Sequence, residues 1–174
     1  MRRFFIFLLT PLARRMSRVQ PNTITMVSLA TGCLAGAAYA LAGRGAGFYL
    51  LGAALVAISG LADSLDGIVA RQFGRTSRTG DFLDHFFDRV INIAIFAGLA
   101  FGPGAEPLLG LATIIVVMLN SYLGTQIEAT FGERYYGGAG KAELFVGLVI
   151  GSVVLAAFPG AAIRTGAGSL SLVN

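Results

Sequence analysis

The sequence predicts an all-α integral membrane protein with about five to six transmembrane helices, preceded by an N-terminal interfacial amphipathic helix. Three observations carry this expectation. The chain is 55% hydrophobic and only 13% charged, about half the charged share of a soluble domain. Charge-free stretches recur along it, separated by short breaks bearing Gly, Pro or charge. Most of its basic residues gather at the ends of those stretches that share one side of a bilayer. At 174 residues, the span 1–174 reads as a single membrane domain.

Residues 1–20 are the expected interfacial helix. Arg2, Arg3, Arg14, Arg15 and Arg18 surround an apolar middle, a pattern that suits a helix lying on an anionic leaflet. The start resembles a signal peptide, but Pro11 and three arginines follow with no small-residue cleavage site, so a retained segment is expected. Pro21-Asn22-Thr23 reads as a turn and helix start, with Asn22 or Thr23 as the cap. The first crossing is expected over Thr23–Ala42, where Gly and Ala allow close helix approach.

The second and third crossings pose a length problem. The second begins near Phe48, but its charge-free part ends at Ala62 after 15 residues, and a helix needs about 20 to cross. It must therefore continue through Asp63 and Asp66 towards Ala70. The third has a clean run of only 12 residues, Val90–Phe101, so it must begin near Asp81 and include Asp84 and Asp88. The short link Gln72–Thr79 makes the two an antiparallel hairpin with its Asp pairs facing each other. Asp81, after Thr79-Gly80, reads as the cap of the third helix.

Gly102–Pro107 is a turn, Leu108–Ile127 a fourth crossing and Glu128–Lys141 a polar loop with Arg134, Tyr135 and Tyr136. Leu144–Phe158 is a fifth, ended or kinked by Pro159-Gly160. Residues 161–174 are expected to be a truncated sixth helix or a tail.

Of 13 basic residues, all but Arg44 and Arg164 fall on the side of the Asp hairpin. The positive-inside rule makes that face cytoplasmic in a multi-pass cell-membrane protein. The net charge of +4 therefore reads as orientation, and no basic run with interleaved aromatics suggests a nucleic-acid partner. A single cysteine, Cys33, excludes an internal disulfide.

Five of the nine acidic residues lie between Asp63 and Asp88. Carboxylates at membrane depth are costly and mark a functional site. Asp63 and Asp66 share one helix face, as do Asp84 and Asp88. Four such groups repel unless some are protonated or cations sit among them. Hard oxygen donors suit Mg²⁺, Mn²⁺ or Ca²⁺, and two such ions clamp a reacting phosphate. An Asp at the cluster's edge can take a proton from an attacking hydroxyl. Gly67 leaves room beside the helix backbone, and Arg71, one turn on, offers a fork of donors to a phosphate. His85 reads as a ring pointed away from the acidic face, and Arg75, Arg78 and Arg89 as leaflet charges or donor contacts. Glu128 and Lys141 read either as acceptor contacts or as an ion pair and a helix flank.

The pattern Asp-x2-Asp-Gly-x2-Ala-Arg-x8-Gly-x3-Asp-x3-Asp is filled by Asp63, Asp66, Gly67, Ala70, Arg71, Gly80, Asp84 and Asp88. It resembles the signature of the CDP-alcohol phosphotransferases (CDP-alcohol phosphatidyltransferases) of phospholipid synthesis. Pro21-Asn22-x-Ile-Thr25 and Ser121-Tyr122 also resemble family features, and the resemblance covers roughly residues 10–145. It implies a transferase that moves a phosphate-linked lipid or alcohol from a CDP donor, probed first as a CDP-lipid, to a hydroxyl acceptor with loss of CMP. It implies two divalent cations, Mg²⁺ or Mn²⁺, on Asp63, Asp66, Asp84 and Asp88, with Asp88 also the general base. Asn22, Thr25, Gly67, Arg71 and Ser77 match positions that contact the CDP donor. Members commonly form homodimers and usually have six spanning helices.

The chain departs from the inositol-phosphate-using branch after Ser121-Tyr122. A basic run is replaced by Gly124-Thr125-Gln126-Ile127-Glu128, and a later basic stretch keeps only Lys141. A phosphorylated inositol acceptor would lack its expected clamp. Two other classes also fit an acidic membrane site: an intramembrane Mg²⁺-dependent prenyltransferase acting on a prenyl diphosphate, and a cation carrier. The first usually sets its Asp motifs far apart; the second usually shows an internal repeat, and no second copy of the Asp pattern exists here.

Overall fold

The computed structural model describes residues 2–102, 107–132, 141–158, 162–165 and 168–171. Six α-helices account for most of them: α1 Arg2–Arg15, α2 Pro21–Ala40, α3 Gly47–Gln72, α4 Arg78–Ala100, α5 Pro107–Phe131 and α6 Lys141–Ala157. Three are long and apolar enough to cross a membrane: Pro21–Ala40, Gly47–Gln72 and Leu108–Phe131. The apolar run Leu144–Ala157 is shorter. Where a truncated sixth helix or a tail is expected, Ala162–Thr165 (β1) and Gly168–Ser171 (β2) pair antiparallel, Ala162 opposite Ser171. That part of the tail is not helical.

Helices α2, α3 and α4 form the centre. Small residues set how closely they cross: a Cβ on Gly36 would strike the Ala94 carbonyl of α4, and one on Gly98 the backbone of Gly36. Below that crossing, Ser28 Oγ donates to the Ser59 carbonyl at 2.9 Å and Ser59 Oγ donates to the Ser28 carbonyl at 2.9 Å. This reciprocal pair ties α2 to α3 without leaving a buried hydroxyl unsatisfied. Tyr39 from α2 and Ser152 from α6 hydrogen-bond at 2.8 Å. Tyr39, Val56, Ile91, Ile95 and Phe145 fill the core where α2, α3, α4 and α6 meet.

A second core lies at the motif end. Leu9 and Ala13 of α1 pack with Ile24 of α2 and Ala62, Leu65, Ile68 and Val69 of α3. The N-terminal helix therefore lies against the half of α3 that carries Asp63 and Asp66, with Arg14 and Arg15 exposed. Elsewhere large apolar side chains face outward, among them Leu108, Val116, Leu119 and Leu123 of α5. In water such a surface would be a liability; against lipid it needs no cover.

Local chemistry explains each end of the hairpin. Helix α3 closes on Gly74, whose φ of 63° is the left-handed conformation glycine favours. The Arg75 amide reaches back to the Ala70 carbonyl at 2.8 Å, completing a Schellman turn. Helix α4 then opens on Ser77, whose extended backbone and hydroxyl make it the N-cap, accepting from the Gly80 amide at 3.0 Å. Ser77, not Asp81, is thus the cap. Asp81 sits in the first turn, where its charge suits the helix N-terminus. Asn22 and Thr23 do not cap α2 either. The N-cap is Gln20, without a side-chain cap bond, and Pro21 opens the first turn, where its missing N–H costs nothing. Helix α5 runs four residues past the expected Ile127, to Phe131, so Glu128 is helical. The rest of the expected loop, from 133 to 140, lies outside the described residues, as do Arg134, Tyr135 and Tyr136.

Candidate active site

The hairpin brings the acidic residues together. Asp63 of α3 and Asp84 and Asp88 of α4 each offer a carboxylate oxygen, and these oxygens lie within 4.8 Å of one another. Ionised carboxylates at that spacing repel by roughly 3 kcal/mol per pair at an effective dielectric of ~20. The arrangement asks for positive charge or protons. All three are half-buried, so they remain open to a ligand.

Asp66 stands beside this trio, with Asp63 and Asp84 as electrostatic neighbours. It is only 5% exposed. The Thr25 hydroxyl, which donates to the Pro21 carbonyl at 3.0 Å, and the Gly67 amide stand beside its carboxylate. Its Oδ2 is buried with no hydrogen-bond partner among the described residues. An oxygen buried this way costs about 1–3 kcal/mol or more if nothing meets it. The donor set is all oxygen and all hard, so the site fits divalent cations such as Mg²⁺.

A cleft opens from this acidic floor. Helix α2 contributes Pro21, Asn22 and Thr25; α3 contributes Asp66, Gly67, Ala70 and Arg71. The link adds Arg75, Thr76 and Ser77, and α4 adds Gly80, Asp81 and Asp84. Carboxylates (Asp66, Asp81, Asp84) and guanidinium groups (Arg71, Arg75) thus line one cleft. Asp66 and Asp84 line the cleft, whereas Asp63 and Asp88 belong to the trio behind it.

The wall is held by specific contacts. A Cβ on Gly67 would lie 3.2 Å from Arg71 Nη2, so the guanidinium folds over that glycine. The room at Gly67 is room for Arg71 first. Arg75 donates to the Val19 carbonyl at 3.1 Å and stands 5.8 Å from the Phe73 ring centroid, which ties the link to the segment before α2. A Cβ on Gly80 would lie 3.0 Å from Ser77 Oγ and 3.6 Å from Asn22 Oδ1. Asn22, Ser77 and Gly80 therefore converge, although more than fifty residues separate the first from the others.

Residues 18–173 match the family model for CDP-alcohol phosphatidyltransferase. The chain belongs to that family. It is 34% identical over 143 residues to the archaetidylinositol phosphate synthase of Methanothermobacter thermautotrophicus, covering 82% of this chain and 70% of that protein. It is also 34% identical over 150 residues to the phosphatidylinositol phosphate synthase of Cutibacterium acnes, covering 81% of this chain and 70% of that one. Its fold is similar to the crystal structure of Mycobacterium tuberculosis phosphatidylinositol phosphate synthase with CDP-DAG bound, with a TM-score of 0.69 at 27% identity, over 87% of this chain and 77% of that chain. A CDP-alcohol phosphatidyltransferase is a transferase of substituted phosphate groups in phospholipid synthesis, and membership displaces the prenyltransferase and cation-carrier alternatives.

Within this CDP-alcohol phosphatidyltransferase, every residue expected at the site lies on the cleft or in the trio. Asn22, Thr25, Gly67, Arg71 and Ser77 line the cleft; Asp66 and Asp84 line its floor; Asp63 and Asp88 complete the cluster. Thr76 lines it too and was not singled out by sequence. Its signal was position alone, in a short link between two Asp pairs. Arg89, read from sequence as a leaflet charge or a donor contact, instead reaches across to α5. It donates to the carbonyl of His85, to the Ser121 carbonyl at 3.3 Å and to Thr125 Oγ1.

Proposed function

We propose that this chain transfers a lipid-linked phosphate from a CDP-lipid to a hydroxyl acceptor and releases CMP at the cytoplasmic face of the cell membrane. The observation that carries the reading is the juxtaposition of the Asp63/Asp84/Asp88 trio with a cleft floored by Asp66 and walled by Arg71. The related Mycobacterium tuberculosis enzyme, solved with CDP-DAG bound, supports a CDP-lipid as donor. The names of the relatives make an inositol phosphate the first acceptor to test, against the replacement of the expected basic run by Gly124-Thr125-Gln126-Ile127-Glu128.

Asp63, Asp66, Asp84 and Asp88 would hold two divalent cations, Mg²⁺ or Mn²⁺. When bound, these supply charge neutralisation for the carboxylates and the diphosphate. Arg71 holds the donor by its fork of N–H groups, and Asn22, Thr25, Gly67 and Ser77 shape the space for its CDP part. Asp88 takes the proton of the acceptor hydroxyl. The hydroxyl oxygen bonds to the phosphorus distal to cytidine, the phosphoanhydride bond breaks, and CMP leaves with the bridging oxygen. Asp88 is the base that the family resemblance implies, and it belongs to the trio without lining the donor cleft, as Asp63 does.

The same reading assigns α2 to α6 to five membrane crossings, with α1 lying in the cytoplasmic interface. It takes a homodimer, common among relatives, as the assembly. The test is direct: purified protein, CDP-diacylglycerol or its archaeol analogue, Mg²⁺ and a panel of alcohols, with CMP release and product mass as readouts. No CMP with any donor and acceptor pair would sink the reading.

A further inference from the structure

Helix α5 has no buried residue among those described, yet it carries Gly124–Glu128, where the sequence differs from the pattern expected of the inositol-phosphate-using branch. Packing alone gives such a helix little register. Towards its C-terminal end Ser121, Thr125 and Glu128, all half-buried, follow one another at the four- and three-residue steps that align side chains on a helix. Arg89, directly after Asp88, grips this face through the Ser121 carbonyl at 3.3 Å and Thr125 Oγ1, while its other terminal nitrogen donates to the His85 carbonyl of its own helix. Thr125 Oγ1 in turn donates to the Ser121 carbonyl at 3.1 Å. A guanidinium in a membrane helix is costly unless its donors are met, and a planar fork meeting two helices fixes distance and register together.

Helices α4 and α5 run antiparallel. With Arg89 level with the Ser121–Thr125 turn, Glu128 comes level with Asp84, one turn nearer the motif end. We infer that Arg89 is a positioning residue: through Thr125 and Ser121 it locks α5 against the catalytic helix and so places the acceptor side of the site, Glu128 included, opposite the Asp84/Asp88 carboxylates. The inference rests on the proposed transfer reaction. It assigns Arg89 no contact with the donor, since Arg89 does not line the cleft.

The test uses full-length protein in nanodiscs and three measurements: acceptor KM and kcat from CMP release, CDP-lipid affinity measured without acceptor, and the Mg²⁺ midpoint. Thr125→Val removes the acceptor oxygen at nearly constant volume, and loss of one hydrogen bond to a charged group predicts an acceptor KM raised about tenfold. Donor affinity and the Mg²⁺ midpoint stay at wild-type values. Thr125→Ser, which keeps the hydroxyl, returns KM towards wild type. Arg89→Lys raises KM similarly, and adding Thr125→Val to it brings little further loss because both break one latch. An unchanged acceptor KM in Thr125→Val, a parallel loss of donor affinity, or full additivity of the pair overturns the inference. If Arg89→Lys does not fold, the uncharged Thr125 variants decide alone. Wild-type protein that releases no CMP defeats the underlying reading instead, so the two failures are told apart.

Discussion

The Arg71 guanidinium rests over Gly67, with Nη2 3.2 Å from where a Cβ would stand. Glycine here is a seat for a side chain one turn further along the same helix. Gly67→Ala makes the fork give way by a few tenths of an ångström at the cleft wall without touching the acidic floor. CDP-lipid affinity is expected to fall about tenfold, the scale of one charge-assisted hydrogen bond, with the melting temperature in detergent little changed. Equilibrium binding of CDP-lipid in the absence of acceptor checks this; unchanged affinity would detach Arg71 from the donor.

Ser77 has two claims on it, as helix cap and as cleft residue. Ser77→Ala removes the acceptor for the Gly80 amide and is expected to cost about 1 kcal/mol of stability, the usual value of a lost N-cap. Ser77→Asp keeps a capping oxygen but sets a negative charge beside the donor's diphosphate. Thermal unfolding should therefore rank Asp above Ala, while donor binding should rank Ala above Asp. The same order in both measurements would mean that Ser77 matters only as a cap.

Much of this arrangement was legible in the sequence because membrane length is a hard constraint. Clean runs ending at Ala62 and starting at Val90 could only span by taking in Asp63, Asp66, Asp84 and Asp88, which predicted the hairpin, although α4 is not among the three helices long and apolar enough to cross. The caps were less legible. Asn22, Thr23 and Asp81 are all good capping residues, but Pro21 and Ser77 reached the helix starts first. Which aspartates meet was hidden as well. Spacing put all four on facing surfaces; the fold draws three carboxylates together and sets Asp66 beside them. The Arg89 contact with Thr125 joins two helices, and nothing local marks it.

Asp66 Oδ2, buried and without a hydrogen-bond partner among the described residues, is expected to make stability depend on divalent cations. Binding to the folded state alone stabilises by about 2.7 kcal/mol at a hundredfold excess over Kd. Mg²⁺ should therefore raise the melting temperature, and a chelator should lower it. Asp66→Asn should weaken the Mg²⁺-dependent rise while leaving the chelated protein at least as stable as wild type, because one buried charge is gone. Differential scanning fluorimetry across a Mg²⁺ series reads both effects. A melting temperature indifferent to Mg²⁺ in wild type would argue against cations at the cluster.

On the proposed reaction, Asp88 separates chemistry from binding. It sits in the trio but off the cleft that receives the donor, so its side chain can lose proton affinity without disturbing the wall at Arg71. Asp88→Asn keeps shape and polarity and removes the base. Turnover should fall by about 10²–10⁴, the range of general-base contributions, while CDP-lipid binding survives at reduced strength because one metal-facing oxygen is now an amide. Asp63→Asn supplies the contrast. It removes a carboxylate from the same trio but none from the proposed proton path, so its lost turnover should recover in part at high Mg²⁺ or Mn²⁺. If excess metal restores Asp88→Asn as fully as Asp63→Asn, Asp88 is a ligand only, and the proton must leave by another route.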